Sequence, residues 1–257
     1  MPAAVNTLRL STGSGKIWST NQEAGTGTKR LLTPIRAASP GLMRICIFGA
    51  GGDTGRELVR QGMDRGYEVT TFVREGKEGI FDSTKVRVIT GDAMVYDDVK
   101  AAVTDAHAVL SALGHGLDTP RGMHEQAIGN IIHAMEAEGI TRLISLTGSG
   151  VRHLDDKPPV LDVILNRMFA LTAPWILADG RAHARRIWRS DLDWTIARAG
   201  KLTKAAANGA YYSTETMNKT SPLRIPRADM ARFMLDQITE ENYRQKMPYV
   251  SAPSPGR

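Results

Sequence analysis

Cysteine is nearly absent: Cys46 is the one thiol in 257 residues. No internal disulfide and no cysteine-built zinc cluster can form, which fits a reducing compartment. Its neighbours Ile45, Ile47 and Phe48 mark Cys46 as part of a core strand rather than a reactive site. Long apolar runs are missing too. The uncharged stretch from Met168 to Ala178 is far short of the ~20 residues that cross a bilayer and contains Thr172 and Pro174. Aromatic residues make up only 6% of the chain and nowhere interleave with a block of Lys or Arg, so the excess of cations does not make a nucleic-acid surface. No set of His, Asp and Glu has metal-ligand spacing, and no metal is expected.

What is present is the make-up of a soluble globular chain, 42% hydrophobic and 23% charged, long enough for one sheet covered by helices on both faces. The net charge of +6 is unevenly spread. Residues 1–42 set Arg9, Lys16, Lys29, Arg30 and Arg36 against Glu23 alone, which leaves only +2 on the rest. This first segment is rich in Ser, Thr, Gly and Ala, has no sustained apolar period, and ends in Ala38-Ser39-Pro40-Gly41. It reads as a disordered leader or a non-native start, with Met43 as the true beginning. A basic, acid-poor, hydroxyl-rich segment also suits an organelle transit peptide, and it lacks the apolar core of a secretory signal. Residues 43–257 are expected to form the folded domain, a cytoplasmic protein unless the leader directs import, as a monomer or small homo-oligomer.

From Met43 the pattern is regular. Arg44 to Phe48 reads as a strand, a glycine cluster follows, and Arg56 to Asp64 reads as a helix. Further strands are expected at Glu68 to Val73, Val86 to Thr90, Ala108 to Leu113, Leu143 to Leu146 and Trp194 to Ala197, with helices at Tyr96 to Val103 and His124 to Glu138. Beyond Gly150 helices are expected from Val160 to Pro174, from Asp179 to Ser190 and from Asp229, as its cap, to Ile238, with a last strand near Tyr249-Val250. Alternating strands and helices imply parallel strands and a Rossmann-type α/β doubly wound sheet, whose ligands sit at the carboxyl ends of the strands.

The sharpest signal lies at the first such end: Gly49-Ala50-Gly51-Gly52-Asp53-Thr54-Gly55 between a strand and a helix. Backbone amides at the helix start can hold a diphosphate there without a lysine. The second strand ends in Arg74 rather than an acid. An acid would bind a ribose 2′-hydroxyl and repel a 2′-phosphate, whereas a guanidinium can grip the phosphate, so NADP(H) is expected over NAD(H). Asp92, followed by Ala93, ends the third strand either as an acceptor for an adenine amino group or as a turn cap. Leu113 and Gly114 end the fourth strand on the same side.

The chemistry is less plainly written. The tyrosine acid of many dehydrogenases comes with a lysine four residues on, after the fifth strand. The one match to that spacing, Tyr96 to Lys100, falls before the fourth strand, on the wrong side of the domain. Thr147 and Ser149 can orient a substrate or a carboxamide, or simply form a turn. His183 is the histidine that a helix after the fifth strand would bring towards the pocket, with a surface or core role as the alternative. Asp155 and Asp156 open a proline-rich loop and read as solvated.

The segments Arg44–Gly55 (RICIFGAGGDTG), Tyr67–Arg74 (YEVTTFVR), Gly91-Asp92, Asp193–Arg198 (DWTIAR) and Arg227–Met234 (RADMARFM) resemble the atypical short-chain dehydrogenases of the NmrA-like and biliverdin-IXβ/flavin reductase type. The resemblance implies a single NADP-binding Rossmann domain with the glycine loop, Arg74, Asp92, Gly114 and Thr147 along the dinucleotide, and a family that commonly lacks the tyrosine and lysine. Threonine is frequent in that family where Gly51 stands, and proline where Ala199 stands. The reductases' serine next to Thr147 is replaced by Gly148, with Ser149 one place later. The expected activity is hydride transfer from NADPH to a conjugated acceptor; the rival reading is a redox sensor that binds NADP(H) without turnover.

Overall fold

The structure, a computed structural model, describes residues 6–11, 17–22, 43–115 and 119–252. Its strands are β1 (Asn6–Ser11), β2 (Ile17–Gln22), β3 (Arg44–Phe48), β4 (Glu68–Val73), β5 (Arg87–Thr90), β6 (Ala108–Ser111), β7 (Arg142–Gly148), β8 (Asp193–Ala199), β9 (Lys201–Thr203), β10 (Tyr212–Thr214), β11 (Arg224–Pro226) and β12 (Tyr249–Ser251). The helices are α1 (Asp53–Asp64), α2 (Tyr96–Val103), α3 (Met123–Ala137), α4 (Val160–Thr172), α5 (Pro174–Trp188) and α6 (Arg227–Asp236).

The expected doubly wound sheet is present. Its parallel part runs β5-β4-β3-β6-β7-β8-β12, and β10 and then β1 and β2 extend it antiparallel. β3 sits centrally because every second residue has an apolar face to serve. Ile45 and Ile47 pack with Leu58 of α1 and Phe233 of α6, while Cys46 and Phe48 pack with Val99 of α2 and Ile131 of α3. Each fully buried side chain of this size stabilises the fold by roughly 1.5–3 kcal/mol. Burial also pushes the Cys46 thiol far above its ordinary range, as a structural cysteine requires. After β3 the chain winds one way to β4 and β5, then returns to β6 on the other side. The switch point therefore lies outside the carboxyl ends of β3 and β6.

Several local expectations change. Strands β1 and β2 lie in the stretch read as a leader, and the rest of residues 1–42 is outside the described residues. The two helices expected after Gly150 are present as α4 and α5, but the second begins at Pro174 rather than Asp179, with a bend of 108° between them. Among the described residues no single helix is long and apolar enough to cross a membrane. Asp229 does not cap α6, which is preceded by Pro226; its carboxylate accepts the N–H groups of Asn208 and Gly209 at 2.9 and 3.2 Å and pins that loop to the helix.

Asp156, expected in solvent, is paired with Arg198 of β8, their side chains 2% and 0% exposed. It also accepts the N–H groups of Met217 and His153 at 2.7 and 2.9 Å. Burial alone would raise this carboxyl; the guanidinium and the two amides outweigh it and hold it below the usual range. Asp156→Asn should cost about 3–5 kcal/mol by stranding Arg198, measured as a shift of the denaturation midpoint. The carboxylate's contribution is complete above its unfolded pKa of ~3.9 and should fade as pH falls through the lower folded value; a wild-type midpoint flat across that window would contradict this.

Candidate functional site

Two glycines of the loop after β3 are dictated by the fold. Gly49 has φ +74°, and a Cβ there would stand 2.6 Å from the Ala112 backbone. At Gly55 a Cβ would stand 2.7 Å from the Cα of Ala50 and overlap the Gly49 carbonyl, so α1 can approach β3 only without a side chain. The other two are under no such constraint. A Cβ at Gly51 would meet only Ile80 Cδ1, at 3.6 Å, and one at Gly52 would meet the Gly49 oxygen at 3.3 Å.

Gly52 is the N-cap of α1, with extended backbone that any residue can adopt. Ser, Thr, Asp or Asn would serve better as a cap. Instead the helix starts bare: the first helical bond runs from the Arg56 N–H to the Gly52 carbonyl at 2.8 Å, and the amides of Asp53, Thr54 and Gly55 lie ahead of it with no side-chain cap. Amides left without a side-chain cap at the positive end of a helix are what a diphosphate needs. The residues present fit a dinucleotide. Thr54 itself is buried, and the Asp53 carboxylate turns to Arg56 at 2.9 Å and to Lys204 and Arg227 at 3.7 Å. Chiefly the Arg56 hydrogen bond lowers its pKa, so Asp53 stays anionic among cations and offers a phosphate only its amide.

The remaining expected cofactor contacts follow the strand ends. Arg74 directly follows β4 and is exposed, its carbonyl accepting the Lys77 N–H at 3.1 Å and its guanidinium without a hydrogen-bond or ion-pair partner among the described residues. Asp92 follows β5 and closes a turn, its Oδ1 accepting the Met94 N–H at 2.9 Å, so the cap geometry is realised. Ala93 is buried in the core and gives its carbonyl to Asn130. Leu113 and Gly114 lie beyond β6, where the Leu113 amide sits beside Gly49 and brings the two loops together at the switch point.

The three residues expected to do chemistry fare differently. Thr147, one residue before the end of β7, is half-buried, its hydroxyl turned towards Gly180 and without a hydrogen-bond partner among the described residues. The Ser149 hydroxyl donates to Asp162 at 3.1 Å, and Arg152 pairs with that same carboxylate. His183 is 2% exposed with Nε2 2.8 Å from the Ser145 hydroxyl. Burial, followed by the nearby His124, drives its pKa down to about 3, so the ring stays neutral; its place is that of the core histidine named as the alternative to a pocket role.

A group not recognised in the sequence lies beside it. Asp179 of α5 accepts the N–H groups of His124 and Glu125 at the start of α3, at 3.1 and 2.9 Å, and pairs with His115 Nε2 at 3.0 Å. The rings of His115 and His124 stack with centroids 3.9 Å apart. Burial and the neighbouring His115 hold His124 down to about 4. A cavity of about 360 Å³ opens between the loop after β7, α4 and α5, lined by Arg152, Arg167, Leu177 and Arg181.

A family model described as NAD(P)H-binding matches residues 49–241, beginning at the first glycine of the loop. Among solved structures, a short-chain dehydrogenase/reductase of Veillonella parvula in complex with NADP is 19% identical, with 82% of this chain and 95% of that one covered at a TM-score of 0.68. The anaerobillin reductase of Escherichia coli O157:H7 is 21% identical over 83% and 99%, at 0.67. An uncharacterised chloroplastic protein of Arabidopsis thaliana is 26% identical over 65% of this chain and 61% of its own length. The chain spans less than two thirds of the curated relatives it matches. At these identities the solved structures speak for the Rossmann fold, and the family match speaks for the nucleotide: the chain belongs to the NAD(P)H-binding family.

Proposed function

We propose that the chain is an NADPH-dependent reductase that delivers hydride to a conjugated acceptor such as a flavin, a quinone or a linear tetrapyrrole. The observation that carries this is the unpaired Arg74 guanidinium at the end of β4, where a 2′-phosphate would lie once the amides of α1 hold the diphosphate. Bound nicotinamide supplies the hydride; the chain's part is to bind, orient and exclude water. Thr147, with its uncommitted hydroxyl, is the orienting group at the reacting end.

The hydroxyls of three of the six tyrosines support this acceptor class. Tyr211, Tyr243 and Tyr249 spend their hydroxyls on Asp236, Ser213 and the Pro222 carbonyl, and Tyr96 lies against His133 on α2 and α3. A ketone reduced without a positioned acid forfeits ~10²–10⁴-fold in rate. A conjugated acceptor spreads the added electron pair over many atoms and takes its proton from solvent. NADPH, one proton and the acceptor give NADP⁺ and the reduced acceptor. Arg167 and Arg181, neither ion-paired among the described residues, favour an acceptor with carboxylates. Reversing both charges should raise KM for such an acceptor roughly tenfold, at ~1 kcal/mol or less per exposed pair, and leave NADPH affinity unchanged; an unchanged KM would remove the cavity from the account.

A screen of flavin, quinone and tetrapyrrole acceptors with NADPH and NADH side by side tests the proposal. NADPH-dependent turnover is expected; saturable binding with no oxidation of NADPH would favour the second reading, a redox sensor. What favours that reading is the apolar face of α4, where Leu161, Ile164, Leu165 and Met168 are about half exposed and suited to a docking partner. A cytoplasmic location, or import directed by residues 1–42, belongs to either reading.

A further inference from the structure

We propose that His115, His124 and Asp179 bind one divalent transition-metal ion of the zinc class. The three come from separate segments, the loop after β6, the first turn of α3 and the middle of α5, yet their donor atoms lie within 4.8 Å of one another. His115 Nε2 is 3.0 Å from Asp179 Oδ2, a little short of the ~3.3 Å that two donors keep around one tetrahedral ion.

The decisive atom is His124 Nε2. It is buried and has no hydrogen-bond partner, although the residue is only 7% exposed. A polar atom left without a partner at such a depth is destabilising, so a partner is expected there. In the neutral ring Nε2 can serve as the lone pair, and nothing in the protein competes for it. A helix-capping role accounts for Asp179 alone, through the amides of His124 and Glu125. It does not explain two stacked imidazoles gathered at the same carboxylate, one with an unmatched acceptor. A cation answers all three electron-pair donors together.

Two imidazoles and a carboxylate are a ligand set of zinc-class sites that keep a fourth position for water. The outer shell is built as well: Asp179 Oδ1 is held by the Glu125 N–H, and His183 lies behind His124 with ring centroids 5.9 Å apart. His115, 16% exposed at the side chain, provides the way in from solvent.

The test is zinc uptake by the full chain after treatment with a chelator, followed by competition with a chromophoric chelator, and in parallel the visible absorption of the cobalt-loaded protein. A single saturable equivalent is expected. Removing a direct ligand should cost at least the ~100-fold that loss of a supporting contact can cause, so His115→Ala and His124→Gln should weaken uptake by that factor or more. His133→Ala, whose ring packs on Tyr96, should leave it unchanged. Should His124→Gln fail to fold, His115→Ala decides, its fold checked by circular dichroism. No saturable uptake by the wild type, or uptake that His115→Ala leaves unaltered, overturns the proposal.

Discussion

Gly52→Val should still fold, with some loss of stability, and lose NADPH affinity about 100-fold, whereas Gly55→Val should not fold. The two positions lie three residues apart in one loop, and their glycines serve different ends. At Gly55 the added carbon would press into the backbone of Gly49 and Ala50, neither of which can move without separating α1 from β3. Overpacking costs about 1–3 kcal/mol where side chains can adjust, and here backbone meets backbone, so the cost should exceed that range. At Gly52 the backbone is extended and the nearest obstacle is the Gly49 carbonyl oxygen 3.3 Å away, a tight contact that should cost some stability but is far milder than the backbone overlap at Gly55. The isopropyl group would then fill the space above the α1 amides, and losing their hold on a diphosphate is worth roughly 2.7 kcal/mol for that factor. Thermal melting and nucleotide titration of both variants check this. A Gly52→Val protein that binds NADPH like the wild type would show that the diphosphate lies elsewhere.

Arg74→Glu should invert the choice of nucleotide. The guanidinium is exposed, carries no partner among the described residues, and follows β4 directly. A charge-assisted hydrogen bond is worth about 1.5–3 kcal/mol, and a carboxylate in its place would repel the 2′-phosphate and accept from a 2′-hydroxyl. NADPH affinity should fall ~100-fold or more while NADH affinity holds or improves. Equal losses for both nucleotides would instead mean that Arg74 stacks on adenine without reading the phosphate.

The fold was legible because β3, α1 and β4 announce themselves locally: an apolar run, a glycine loop and a β-branched run, each within a dozen residues. The glycine pattern also located the switch point, although the sequence could not separate Gly49 and Gly55, needed by the backbone, from Gly52, needed by nothing in the protein itself. Long-range partnerships were hidden. Asp156 looked solvated beside proline, and only the fold brings Arg198 of β8 onto it. His183 was singled out for its position after the fifth strand, but its register on α5 turns it inward to Ser145. His115, His124 and Asp179 escaped notice because metal-ligand patterns are recognised by short spacings, whereas these residues meet through the packing of α5 against α3. The short strands β9 and β11, which pair with each other beside the main sheet, carry too few residues for a period to register.

The central claim is that uncapped amides after β3 receive a diphosphate whose adenosine ribose bears a phosphate. Calorimetric titration of the wild-type chain with NADPH and with NADH tests it most directly. One saturable site is expected, at least about tenfold tighter for NADPH, a difference of ~1.4 kcal/mol. A titration in which neither nucleotide saturates, or in which NADH binds more tightly, would contradict it.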